Sequence, residues 1–107
     1  ANDGLRGLST QEMSQNLERT IVLAQENGIQ VILAGMEIPP NYGPAYSKAF
    51  REVFASLADR YDLSFIPFLL KEVAGNALLN QADGIHPNRA GHKIIAGTVF
   101  PYIQGQL

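Results

Sequence analysis

An aspartate and a histidine stand three residues apart in the turn-forming stretch Asp83-Gly84-Ile85-His86-Pro87. Because Gly84 tolerates a tight turn, the Asp83 carboxylate can come within reach of the His86 ring. A carboxylate on one imidazole nitrogen fixes the tautomer and leaves the other nitrogen free to act as a base. The spacing therefore predicts an acid–base pair. The alternative is that Asp83 only caps a turn and His86 is a polar residue before a helix.

Each of three other residues could have either a functional role or a purely structural one. His92, with Asp83 and His86, would give one carboxylate and two imidazoles for a metal ion; otherwise it is a helix-start histidine beside the loop. The Asn2 amide can donate to a developing oxyanion, although asparagine is also a common turn residue. Tyr42, in a proline-rich loop, either lines a pocket or packs on that loop.

The elements that must position these residues alternate between helical and strand patterns. Apolar spacing and caps predict a helix at residues 10–27, a strand at 31–34, a helix that begins near residue 44, a strand at 63–68 and a last helix after Asn88. A short helix is also expected at 68–74, and Pro101 is expected to end or kink the last helix. One helix between two strands is typical of an α/β fold with a parallel sheet. Two strands are too few to cover helices on both faces, so the fold requires more strands than the chain supplies.

Composition excludes several classes of protein. The 107 residues are enough for one small domain, and 46% of them are hydrophobic, which is globular composition. The net charge of −2 and the scattered charges argue against nucleic acid as a partner. The absence of cysteine excludes disulfides, thiolate catalysis and cysteine zinc sites. No apolar stretch approaches the roughly 18 residues of a transmembrane helix.

Two segments carry a resemblance to a known family. The stretch Asn2-Asp3-Gly4-Leu5-Arg6-Gly7 resembles the third block, G-x-N-D, of the SGNH (GDSL-type) hydrolases, without its glycine. Residues 83–88 resemble the fifth block, D-x-x-H-P. Residues 38–43 and 65–68 are similar to the branch that contains multifunctional acyl-CoA thioesterase, lysophospholipase and arylesterase. The resemblance covers the chain up to about Ile103.

The resemblance implies a role for each matching residue. His86 would be the general base and acid, Asp83 would orient it, and Asn2 would donate to the oxyanion. The implied substrate-binding residues are Gly4, Leu5, Pro40 and Tyr42. The implied chemistry is serine attack on an ester or thioester through an acyl-enzyme, with no metal or organic cofactor. The implied fold is a flavodoxin-like α/β/α sandwich with a parallel sheet, of which this chain holds two strands.

The sequence departs from the family in lacking the G-D-S block that carries the nucleophile. None of its five serines stands where a strand turns into a helix; they are Ser9, Ser14, Ser47, Ser56 and Ser64. We therefore expect residues 1–107 to be the C-terminal part of a single SGNH domain, inactive without a serine-bearing N-terminal part. That part would be a second chain or a segment before Ala1. The alternative is a non-catalytic module that forms homo-oligomers through an exposed sheet edge.

Partners and location follow from the same resemblance. It implies an acyl ester or thioester substrate, while the charge and the short apolar stretches already argue against a nucleic-acid partner and a transmembrane anchor. The related bacterial enzymes are often exported, so a periplasmic or secreted location is expected, with the cytoplasm as the alternative. The residues do not determine acyl-chain length or the preferred leaving group.

Overall fold

A computed structural model of the chain describes residues 9–107. These described residues divide into two compact units, the first up to residue 67 and the second from residue 68 to residue 107. The expectation of a single domain over the whole chain stays a prediction.

The first unit begins with helix α1, Thr10–Glu26. Ser9 caps it, since its side-chain oxygen accepts the Glu12 N–H at 3.1 Å, and Met13 and Ile21 are buried on its inner face. Gly28 follows the helix with φ +70°, a conformation that favours glycine. The predicted helix is confirmed, and it ends one residue earlier than expected.

A single β-α-β arrangement forms the rest of this unit. Strand β1 is Ile32–Ala34, helix α2 is Pro44–Arg60 and strand β2 is Ser64–Ile66. The strands are parallel, with Leu33 opposite Phe65. Both are shorter than predicted, and β2 stops at Pro67, which has no N–H to donate. The α/β class and the two parallel strands are confirmed.

The core of the first unit lies between α1, α2 and the sheet. Phe50 and Leu57 of α2 are completely buried, and Phe54 packs edge-on against Phe50 with ring centroids 5.4 Å apart. The aromatic series continues through Tyr46 to Tyr42, each ring within 6.4 Å of the next. Arg60 and Glu18 form an ion pair between the two helices. The apolar stripe predicted for α2 is therefore the main packing surface of this unit.

The second unit consists of turns followed by a long helix. The short helix expected over residues 68–74 is absent: the backbone makes successive turns, and Glu72 adopts φ +69°, which an α-helix cannot accommodate. Helix α3 is Arg89–Gln106 and begins at Asn88, whose side-chain oxygen accepts the Gly91 N–H at 3.0 Å. Pro101 was expected either to end or to kink this helix, and the first expectation is wrong, since the helix continues to Gln106. Proline removes only one N–H donor, and the N–H groups beyond it continue the helical hydrogen bonding.

No helix within residues 9–107 combines the length and the apolar character that a membrane crossing requires.

The close approach of β1 and β2 gives a testable prediction at Gly35. Its N–H donates to the Ile66 carbonyl at 2.7 Å, and a Cβ at this position would overlap the Pro67 carbonyl oxygen. Gly35→Ala should therefore lower the free energy of unfolding by about 1–3 kcal/mol in urea denaturation.

The matched control is Gly97→Ala on α3, where a Cβ meets nothing within 4 Å. This variant should raise the free energy of unfolding by about 0.5–1 kcal/mol, because alanine is the better helix former. Equal stability of the two variants would contradict the steric argument.

Candidate active site

The structure brings Asp83 and His86 together in a single turn of the second unit. His86 Nδ1 lies 2.6 Å from Asp83 Oδ2. Asp83 Oδ1 accepts two main-chain N–H groups, from Ile85 and His86, both at 3.0 Å. Gly84 has φ +75°, so the turn depends on the glycine as predicted. The contact between the carboxylate and the imidazole is confirmed.

These contacts favour the ionised form of the Asp83 carboxyl. They lower the pKa of the Asp83 carboxyl from 3.8 to about 2, mainly through the His86 main-chain N–H, then through the His86 ring and the Ile85 N–H. Asp83 is thus an anion at neutral pH and accepts a proton-bearing Nδ1. In the tautomer with the proton on Nδ1, the Nε2 lone pair is available, and no residue in the described range 9–107 hydrogen-bonds to Nε2. The pair has the electronic arrangement of an oriented general base.

The Asp83–His86 loop, residues 82–86, is closed by a stem of two short chain segments, the second of which begins at His86 itself. Residues 79–81 and 86–88 face each other as an antiparallel bridge between Asn80 and Pro87. The Gln81 N–H donates to the His86 carbonyl at 2.7 Å, and the Asn88 N–H donates to the Leu79 carbonyl at 2.9 Å. His86 is therefore held through its ring, its N–H and its carbonyl.

The sequence analysis missed two residues of this stem. Asn80 is buried and its amide donates to two main-chain carbonyls, while the Gln81 amide donates to the Pro87 carbonyl at 3.1 Å. Both lie in a stretch without helical or strand periodicity, so no local pattern singled them out. A polar residue that becomes buried in a turn region is recognisable only once the turn is known.

The other predicted site residues are placed elsewhere. Asn2, Gly4 and Leu5 lie outside the described residues. Pro40 begins a short 3-10 turn that ends at Tyr42. Tyr42 is half-buried and stacks on Tyr46, with ring centroids 6.1 Å apart, so it packs within the first unit. Its substrate-binding role stays a prediction.

The alternative metal site does not form. Within residues 9–107, no three His, Cys, Asp or Glu side chains come close enough together to hold a metal ion. His92 lies on α3, where its N–H donates to the Asn88 carbonyl at 2.9 Å as part of the helix start. The structure thus favours the simpler interpretation of His92.

None of the five serines occupies a turn from strand to helix. Ser9 caps α1, Ser14 lies on α1, Ser47 and Ser56 lie on α2, and Ser64 begins β2. The Ser47 hydroxyl is buried inside the first turn of α2. In the described part of the chain, no serine is presented as a nucleophile would be.

Comparison with known proteins gives a consistent result. A model of the GDSL-like lipase/acylhydrolase family matches residues 1–94. Esterase TesA of Pseudomonas aeruginosa is 39% identical over 103 residues, which are 96% of this chain and 51% of that protein. The thioesterase 1/protease 1/lysophospholipase L1 of Escherichia coli K12 is 34% identical over 103 residues, 96% of this chain and 50% of that protein.

Solved structures agree with the sequence matches. The crystal structure of a protein named TesA superimposes with a TM-score of 0.93 at 39% identity, over 99% of this chain and 59% of that one. The chain thus has the α/β fold of these esterases and spans about half the length of the curated relatives that it matches.

The bonds to Asp83 predict how stability depends on pH. A carboxyl whose pKa is lower in the folded than in the unfolded chain stabilises the fold above the unfolded value and ceases to do so as pH falls through the folded value. Because the pKa of Asp83 falls from 3.8 to about 2, wild type should be more stable than Asp83→Asn above pH 4. That difference should diminish as pH falls towards 2.

Urea unfolding of both proteins at a series of pH values between about 2 and 7 measures this difference. All other carboxyl groups are shared by the two proteins, so their contributions cancel. Parallel stability curves across the whole range would contradict the contacts described for Asp83.

Proposed function

Because the chain belongs to the GDSL-like lipase/acylhydrolase family, we propose that it supplies the acid–base half of an ester or thioester hydrolase active site. The observation that carries the proposal is the 2.6 Å contact between His86 Nδ1 and Asp83 Oδ2. In an otherwise exposed loop, this contact gives His86 a fixed tautomer and an available Nε2. Esterase, thioesterase and lysophospholipase are the activities in the names of the relatives, and here they define the proposed reaction class.

In the proposed reaction, a serine supplied from outside the described residues attacks the acyl carbonyl carbon. His86 Nε2 takes the serine proton, and the negative Asp83 stabilises the imidazolium that forms. The carbonyl oxygen becomes an oxyanion, to which the Asn2 amide donates. Collapse of this intermediate expels the alcohol or thiol, which takes the proton from His86. Water then repeats the sequence on the acyl-enzyme and releases the acid.

The proposal assigns the acid–base pair to this chain and the nucleophilic serine to another polypeptide segment. The described residues present no serine as a nucleophile, whereas they orient the histidine fully. We therefore expect catalysis only when a polypeptide with a Gly-Asp-Ser block completes the domain. Gly4, Leu5, Pro40 and Tyr42 are the proposed substrate-binding residues. The periplasmic or secreted location remains a prediction from the resemblance, and we also propose a role in lipid metabolism on the same ground.

The experiment compares hydrolysis of p-nitrophenyl acyl esters by the chain alone and by the chain mixed with a serine-bearing polypeptide. The half of a TesA relative that lies outside the match is suitable for this purpose. The chain alone should not turn over, and the mixture should. Loss of the base in His86→Ala should lower the rate of the mixture by at least about 100-fold.

His92→Ala is the matched control, because it removes the other of the two histidines and should leave the rate of the mixture unchanged. Turnover by the chain alone that depends on His86 but on no serine would contradict the proposal.

The second candidate function is a non-catalytic module that associates with copies of itself. One observation favours it: in the described residues, the sheet has only two strands, so each strand has one unpaired edge. Light scattering distinguishes the two functions. A stable homodimer that stays inactive after addition of the serine-bearing part would favour the module.

A further inference from the structure

We propose that Asn80 is a positioning residue for His86, because its buried amide fixes the stem on which the Asp83–His86 loop stands. The inference rests on the proposed function, since it assigns Asn80 to the acid–base pair of that site. It concerns a residue that no sequence motif indicated and that does not itself touch the imidazole.

The first step is the environment of Asn80. Among residues 9–107 it is the one polar residue that is buried as a whole, with 7% of its surface exposed. Its Nδ2 donates to the Val73 carbonyl and to the Asn76 carbonyl, both at 2.8 Å. Both amide protons are thereby used on the preceding turns. A buried amide with its donors satisfied in this way has one well-defined orientation.

The second step leads from Asn80 to the opposite side of the stem. The Asn80 carbonyl accepts the side-chain amide of Asn88 at 3.3 Å, and that amide also donates to the Leu78 carbonyl at 3.0 Å. Asn80 and Pro87 are the two residues of the antiparallel bridge. Asn80 thus joins the preceding turns to the segment that carries His86.

The third step leads from the stem to the imidazole. The residue after Asn80 is Gln81, whose N–H donates to the His86 carbonyl at 2.7 Å and whose carbonyl accepts the Gly84 N–H at 2.9 Å. A shift of the Asn80 segment therefore moves both the turn at Gly84 and the backbone of His86. Such a shift alters the contact between His86 and Asp83, which depends on backbone and ring together.

The hydrogen-bond pattern predicts the effect of substitution. Without the Asn80 amide, the Val73 carbonyl keeps only the Asn76 N–H and the Asn76 carbonyl keeps only the Leu79 N–H, so each loses one of its two donors. Losing a hydrogen bond in a buried position is unfavourable. The segment is then expected to shift towards water. A purely structural asparagine would lower stability alone, whereas a positioning residue also changes the Asp83–His86 contact in the folded state.

NMR of the isotopically labelled 107-residue chain measures this contact without any catalysis. The Asp83 side-chain carbon reports the titration of its carboxyl, which in wild type should have its midpoint at a pKa of about 2. The ring nitrogens of His86 report its tautomer at neutral pH. His92 is the only other histidine and serves as an internal reference.

In Asn80→Leu, we expect the Asp83 midpoint to rise from about 2 towards 3.8, and His86 to lose its preference for the Nδ1-protonated tautomer. Should this variant not fold, Asn80→Ser provides the test, because its hydroxyl still donates to one carbonyl. A smaller shift in the same direction is then expected.

Two variants separate positioning from stability. Val73→Ala removes packing from a completely buried side chain but leaves its carbonyl to accept from Asn80. Asn76→Ala removes a side chain of the same type whose oxygen accepts only the nearby Leu78 N–H at 3.0 Å. Both should keep the wild-type midpoint and tautomer of the pair, even where Val73→Ala lowers stability as much as Asn80→Ser does.

An unchanged Asp83 midpoint in folded Asn80→Ser would overturn the inference, as would an equal shift in Val73→Ala. In the reconstituted hydrolase, Asn80→Ser should lower kcat with KM unchanged, and an unchanged kcat would also count against it. If no serine-bearing part ever gives turnover while the NMR shifts appear as expected, the proposed function fails and the positioning of His86 by Asn80 stands.

Discussion

The Asp83 carboxylate accepts three hydrogen bonds at once: one from the His86 ring and two from the main chain, at Ile85 and His86. The same anion therefore determines both the shape of the turn and the orientation of the imidazole. Packing alone would define neither of them, because about half of each side chain is exposed to solvent. A local charge with several donors replaces the hydrophobic contacts that fix side chains elsewhere in the molecule.

Hydrogen bonds from neighbouring residues of the second unit hold this turn in place. Asn80 donates to main-chain carbonyls of the turns that precede the stem. Asn88, on the other side of the stem, donates to the Leu78 and Asn80 carbonyls and also caps α3. Gly91, in the first turn of that helix, has no space for a Cβ because the Leu79 carbonyl lies against it. The helix start, the stem and the loop are consequently one hydrogen-bonded assembly. The D-x-x-H-P motif lies in the loop, whereas the geometry of the Asp83–His86 contact also depends on residues that precede the loop.

Local chemistry explains what could be predicted from the sequence. The contact between Asp83 and His86 and the cap at Asn88 follow from residue types at fixed short spacing, and these predictions are confirmed. The role of Asn80 was not predicted, because its burial depends on turns whose sequence has no periodicity. The prediction of a helix at 68–74 was wrong because Glu72 adopts a left-handed backbone conformation, which helix propensity alone does not reveal. Roles that depend on residues 1–8 or on a partner stay predictions.

The hydrogen bonds that close the stem and the loop connect residues no more than ten positions apart in the chain. Contacts of such short range cost little loop-closure entropy, so structures made of them form early and quickly during folding. The β1–β2 pairing, in contrast, joins residues separated by a whole helix. We expect the Asp83–His86 loop to be in place before the sheet, so that the acid–base geometry precedes the assembly of the domain that would use it.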